Sequence, residues 1–364
     1  MFAACSLAEK VESMANFTTT SISQECRQPT YTPFVAQACF LIFIAITTLL
    51  GNLSVCLTVF FNSNLHTLTS YLVASLAISD LMVATFSLPF RIHQTLHNTR
   101  WCLSEDACIF WIWADLFCCC ASIGNLALIS IDRFLATKYP LRYHQIVTRK
   151  TSWLMLSSVW IYSFIVASSG LTNWTFPGGV LVGINDGCYK PDPYFYTFAA
   201  AVGFFLPLVV IICAYCYIFK IAMEHFRAIS RLTAPILPNV PQSSENHQTI
   251  YKQQLKATKT LAIVVGAFVI CWLPTFVIIL VQMWCQTCLK NQYQPDNPKL
   301  HGFFYFINIA FVYTLPNINS AINPFIYVIF SKDLRQAFIK TFKSLYQELC
   351  DIRARTNFEV TSLS

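Results

Sequence analysis

Charge is scarce in this sequence. Only 11% of its 364 residues are Asp, Glu, Lys or Arg, while 55% are hydrophobic and the mean hydropathy is +0.53. Soluble chains carry about 25% charged residues, so this composition excludes an ordinary water-soluble domain and points to an integral membrane protein. Glycine is also scarce, with 10 residues, and none gather into a loop that could cradle a phosphate. No nucleophile stands beside a paired base and no metal-ligand cluster is visible, which leaves a membrane enzyme without its chemistry. No internal repeat is present. Transporters tend to show paired repeats with broken helices in both halves, so an ion transporter or channel is a remote alternative. The first twenty residues, MFAACSLAEKVESMANFTTT, lack the continuous apolar core of a cleavable signal, and the first hydrophobic segment is expected to anchor the chain. The net charge of +7 requires no nucleic-acid partner.

What is abundant is apolar length. Seven stretches are long enough to span a bilayer, at approximately 34–60, 68–95, 105–136, 152–172, 195–220, 257–284 and 301–330. The expected fold is an all-α membrane protein, a seven-transmembrane helix bundle over 34–330. It is flanked by an extracellular glycosylated terminus (1–33), an amphipathic inner-leaflet helix (331–350) and a cytoplasmic tail (351–364). Glycosylation sequons start at Asn16 and Asn173, on the same side if the N-terminus is outside. The alternate loops and the tail carry 17 of the 24 basic residues, which supports that orientation. The segment TAPILPNVPQSSENHQT reads as a polar loop between spans five and six. After span seven, Leu334, Phe338, Phe342 and Leu345 recur at helical spacing, as in a helix lying on a membrane surface. Cys350 follows and is either a palmitoylation site or a plain thiol. Most of the 16 Cys sit inside apolar runs; Cys118, Cys119 and Cys120 are consecutive and read as small packing residues.

The third span organises the chain. It reads CIFWIWADLFCCCASIGNLALISIDR from Cys108 to Arg133, with Asp115 the one charged residue from Ile109 to Ile131. Cys108, Asp115 and Ser122 are spaced by seven and share one helix face. A carboxylate at that depth costs at least ~2.5–3.5 kcal/mol and must meet a cation or a wet cavity. One reading is a structural acid paired with a base on another helix. The other apolar segments offer no obvious Lys or Arg at similar depth, so the favoured reading is a counter-ion for a ligand. Asn52, Asp80, Ser122, Asn319, Ser320 and Asn323 add an oxygen-rich set that suits a small hard cation, a water network or a purely structural one. Pro207, Pro274 and Pro324 kink spans five, six and seven.

These residues resemble the rhodopsin-like (class A) G-protein-coupled receptors. The resemblance rests on Gly51-Asn52, LAISD ending at Asp80, Asp132-Arg133-Phe134, Trp160, Pro207 with Tyr215, Cys271-Trp272-Leu273-Pro274 and Asn323-Pro324-Phe325-Ile326-Tyr327. It implies a disulfide between Cys108 and Cys188. Asp132 and Arg133 would form the G-protein switch, with Tyr215 and Tyr327. Ile123, Pro207 and Phe268 would transmit rearrangement near Trp272, and Asp80, Ser122, Asn319, Ser320 and Asn323 would hold sodium as an allosteric modulator. No other cofactor is implied. Asp115, 18 residues before Arg133, stands where receptors for biogenic amines place the acid that binds the amine, and the sequence looks like the dopamine, adrenergic and histamine group. The implied ligand contacts are Asp115, Cys119, Trp272, Phe276, Tyr313, Asn317, Ala199 and Gly203. Cys285 and Cys288 resemble that group's small outer-loop disulfide; Cys26 and Cys102 are candidates for a third. The implied partners are a small extracellular amine, a heterotrimeric G protein, arrestin and a receptor kinase, at the plasma membrane. A peptide or another small ligand is the alternative within the family.

The sequence departs from that group in places. Ala199, Ala200 and Gly203 replace the hydroxyls that would meet a catechol, and Asn317 replaces a Tyr bonded to the key Asp. Thr275 replaces an aromatic after Pro274, and Gln254 replaces an acid that would pair with Arg133.

Overall fold

A computed structural model describes residues 32–174, 187–190, 192–232, 242–285, 306–332, 334–344 and 346–348, without the side chains between 225 and 261. Asn16, Cys26, Cys288 and Cys350, and the side chain of Gln254, lie outside the described residues. Among the described residues six helices are long and apolar enough to cross a membrane. They are α1 (Thr32–Phe61), α2 (Leu68–Leu96), α3 (Glu105–Lys138), α4 (Arg149–Leu171), α5 (from Pro193 to Leu232) and α6 (Gln242–Trp284). A seventh, α7, runs through Asn308–Thr314 into Leu315–Phe330.

The caps follow from sequence. Ser104, Thr148 and Asp192 precede α3, α4 and α5, and each side chain accepts from a backbone N–H of the first turn. Glu105 and Asp106 add the acidic first turn that suits the helix dipole at the start of α3.

Helix α3 is the axis. It packs against α2, α4 and α5, and every residue from Phe117 to Ala127 is buried. A helix buried all round cannot show an amphipathic stripe, which explains the three consecutive cysteines: Cys118, Cys119 and Cys120 face different neighbours and all are buried. Gly124 permits the approach of α4, since a Cβ there would lie 3.0 Å from Val159 Cγ1.

Three helices widen into π-turns, at Val83–Ser87, Ala201–Phe205 and Asn308–Thr314. Each is followed by Leu-Pro: Leu88-Pro89, Leu206-Pro207 and Leu315-Pro316. Proline lacks an N–H and its ring clashes with the carbonyl four residues back, and those carbonyls belong to Thr85, Gly203 and Val312, inside the widened turns. The extra residue relieves the clash and frees carbonyls that neighbouring helices use. Tyr162 of α4 donates to Val202 O, and Thr275 of α6 donates to Phe311 O at 2.6 Å. Pro274 and Pro324 lie inside their helices. After α7 a surface helix covers 334–344, tied to the end of α1 where Asn62 donates to Thr341 Oγ1 at 2.8 Å.

Candidate functional site

At one end of the bundle Cys108 and Cys188 form a disulfide, with Cα atoms 5.7 Å apart. Cys102 and Cys285 are disulfide-bonded as well. The segment pinned by Cys188 continues to Lys190, whose ammonium is buried and donates to Gly170 O at 2.7 Å and to Thr172 O. Burial lowers the Lys190 pKa from the ordinary lysine value, with Asp192 partly opposing. These contacts fix the segment as a cover over the bundle.

Beneath it lies a cavity of about 220 Å³, smaller than the ~300–1,000 Å³ of pockets for drug-sized ligands. Asp115 lines it, half-buried, and its Oδ1 accepts from Ser87 Oγ at 2.5 Å. Ser87 closes the π-turn of α2, and the local widening aims it at α3. Of the expected contacts, Asp115, Cys119, Ala199, Trp272, Phe276, Tyr313 and Asn317 all line the cavity. Gly203 does not: it sits within the π-turn of α5 and faces α3, where a Cβ would lie 3.0 Å from Cys120 Sγ. Asn317 turns along its own helix, donating to Tyr313 O at 2.8 Å. The floor is aromatic. Trp272 and Phe276 have ring centroids 5.9 Å apart, Phe276 stacks on Phe204 at 4.6 Å, and Phe268 lies beneath Trp272 at 6.1 Å. Ile123 and Phe268 are fully enclosed in the core below.

Sequence reasoning missed Arg91. The expectation that the other apolar segments offer no obvious Lys or Arg at a depth similar to Asp115 is corrected, because Arg91 of α2 lines the same cavity. Its guanidinium carbon lies 4.4 Å from the Trp111 ring centroid and 4.7 Å from that of Tyr313. Arg91 follows Ser87 by four residues and Trp111 precedes Asp115 by four. The two residues therefore stand on successive helical turns, about 6 Å apart along the helix axes. They are not in ion-pair contact: among the described residues the one ion pair is Arg133 with Asp132. The signal was present, since Arg91 falls inside the apolar stretch 68–95, but so near its end that it reads as a cation reaching for the interface.

Midway down, Asp80 is fully buried and its Oδ2 accepts from Asn323 Nδ2 at 2.8 Å. Ser122 lies 3.0 Å from Ser79 Oγ, and Asn52 donates to Ser320 O at 3.0 Å. Asp80 Oδ1, Asn52 Oδ1, Asn319 Oδ1 and Asn323 Oδ1 are buried without a hydrogen-bond partner. A free carboxylate oxygen and three orphaned amide oxygens are the ligand type that a hard cation takes.

At the far end Asp132 is buried and saturated. Arg133 Nη2 lies 2.5 Å from its Oδ2, Thr69 Oγ1 donates to the same oxygen at 2.7 Å, and Tyr143 OH donates to Oδ1 at 2.5 Å. Arg133 also donates to Thr69 Oγ1. Burial first, then the Asp132 charge, raises the Tyr143 phenol above its ordinary pKa, which keeps the donor protonated. The buried hydroxyls of Tyr215 and Tyr327 have no hydrogen-bond partner among the described residues.

The comparisons agree with this geometry. Residues 51–327 match the family described as 7 transmembrane receptor (rhodopsin family). The chain is 30% identical over 355 residues to the Alpha-1A adrenergic receptor of Cavia porcellus, covering 89% of this chain and 72% of that one. Against the Homo sapiens Alpha-1A adrenergic receptor the identity is 31% over 350 residues, covering 87% and 71%. Against the D(1C) dopamine receptor of Xenopus laevis it is 32% over 308 residues, covering 81% and 65%. With its helical bundle, its bridged cover and its buried Asp-Arg pair, the chain belongs to the rhodopsin family of seven-transmembrane receptors, a class of receptors and not of enzymes, and resembles the members that take amines.

Proposed function

We propose that this chain is a plasma-membrane receptor, N-terminus outside, that binds a small cationic ligand through Asp115 and signals to a heterotrimeric G protein at its Arg133 end. One observation carries the reading: Asp115 opens on a covered cavity, and among the described residues its single hydrogen bond comes from Ser87. A carboxylate so placed retains acceptor capacity for a charge-assisted bond to an ammonium. The relatives named adrenergic and dopamine receptors support an amine. Ala199 of α5 offers no hydroxyl, and the α5 hydroxyl that does line the cavity, that of Tyr196, accepts from Lys190 N–H at 3.4 Å.

Agonist binding at Asp115 displaces the aromatic set at Trp272 and Phe276. Pro207 and Pro274 supply the bends, Ile123 and Phe268 carry the motion inward, and Tyr215 and Tyr327 find partners as Arg133 leaves Asp132. Sodium held by Asp80, Ser122, Asn319, Ser320 and Asn323 favours the resting arrangement. Asn16 and Asn173 carry glycans, Cys285 pairs with Cys288, Cys350 is acylated, and the active receptor is a substrate for a receptor kinase and a ligand for arrestin. The test is a screen of small amines for second-messenger responses in cells expressing the chain or its Asp115→Ala variant. The reading predicts a responsive amine whose effect disappears in the variant at equal surface expression. Equal potency in both would refute it.

A further inference from the structure

The cavity holds a cation of its own, and an amine receptor has no need of one. Arg91 lies one helical rung from Asp115 toward the cover, its guanidinium carbon 4.4 Å and 4.7 Å from the ring centroids of Trp111 and Tyr313. Among the described residues its guanidinium makes one hydrogen bond, a long one, to Gln94 Oε1 at 3.4 Å. No carboxylate touches it among the described residues. The Asp115 carboxylate is meanwhile taken up from the side by Ser87. A plain monoamine bound at Asp115 would sit close to this fixed positive charge in a partly desolvated site, where like charges repel most strongly. A guanidinium presents paired N–H donors that match a carboxylate.

Building on the proposed role of Asp115, we propose that the natural ligand is a small zwitterion, an amino acid, whose ammonium meets Asp115 and whose carboxylate meets Arg91. The two rungs set the order of the groups, amine deeper and acid toward the cover. The remaining volume is bounded below by Trp272 and Phe276 and at the side by Ala199, with Thr275, Gln282 and Asn317 as polar neighbours. It suits an aromatic or bulky aliphatic side chain. The small cavity fits a free amino acid better than a peptide.

The test uses purified full-length receptor and thermal unfolding with added ligand. The probes are phenylalanine, tyrosine, tryptophan and leucine, each beside its decarboxylated amine and its carboxamide. At least one amino acid should stabilise the receptor at a concentration ten or more times lower than its amine, and the carboxamide should behave as the amine does. Arg91→Gln should reverse that preference and Arg91→Lys should keep part of it, while Asp115→Asn should abolish stabilisation by both. The amine–carboxamide–acid series on the native chain needs no variant, so a misfolded Arg91 mutant leaves the test intact. Amines that stabilise where no amino acid does would overturn this proposal and leave the Asp115 reading standing. If neither class stabilises the native receptor, both readings fall.

Discussion

Asp115 and Asp132 sit on the same helix, 17 residues and about 25 Å apart, and their surroundings are opposite. Asp132 is buried and takes donors from α2, from its neighbour Arg133 and from Tyr143 beyond α3. Asp115 is half-buried, takes one donor from Ser87 and faces a cavity with Arg91 on its wall. A saturated acid is a lock, whose partners are all within the chain and whose release requires the chain to move. An acid with spare acceptors beside a cavity is a receptor for something external. The same side chain thus serves retention at one end and recognition at the other, according to how many donors the fold supplies.

The largest expected effect is at the recognition end. Removing one member of a desolvated charge pair costs ~2–5 kcal/mol. Asp115→Ala should therefore weaken agonist potency by about 30-fold to several thousand-fold, measured as second-messenger response at matched surface expression. Asp80→Asn comes next. By linkage, a cation that favours one conformation weakens an agonist that favours the other, with couplings of ~1–3 kcal/mol or about 5- to 150-fold. Agonist affinity should fall when sodium replaces a bulky organic cation at equal ionic strength, and this dependence should vanish in the variant. Persistence of the sodium effect would remove Asp80 from the account.

At the locking end the effects are smaller because several donors share the load. Tyr143→Phe deletes one hydrogen bond to a buried charge, worth ~1.5–3 kcal/mol. Ligand-free signalling should rise by about tenfold or more, scored against receptor expression. Gln254→Glu tests the missing acid: a new, partly sheltered ion pair to Arg133 is worth about 1 kcal/mol, the upper end for exposed pairs, so basal output should fall by about fivefold. With Thr69 and Tyr143 already on Asp132, an unchanged basal level in this variant would mean that the in-chain donors suffice.

The sequence exposed the spans and the acids because both are local signals: twenty apolar residues, or one carboxylate among them. It hid what depends on register. Ser87 and Gly203 both lie in π-turns, where an extra residue rotates the helix face by about 100°. A face counted at 3.6 residues per turn therefore leaves Ser87 off the Asp115 side and puts Gly203 in the pocket. The Leu-Pro pairs after each π-turn were visible, but only the clash with the carbonyl four residues back connects them to the widening. Arg91 was hidden differently. Near a span end a base is ordinarily an interfacial residue, and only the inward tilt and the rings of Trp111 and Tyr313 turn it into a cavity wall. Helix α7 was legible both by its apolar length and by its Asn323-Pro324 motif, but its π-turn was not.

The central claim is that Asp115 recognises a positive charge on a ligand. It is tested most directly by binding of phenethylamine and of 2-phenylethanol, which has a hydroxyl in place of the ammonium, to the purified native chain and to Asp115→Asn. Close charge pairs across an interface couple by ~1.5–7 kcal/mol in such cycles. The account predicts that the native chain prefers the amine by tenfold or more and that the variant shows no preference. Equal discrimination by both proteins, or none by the native one, would contradict it.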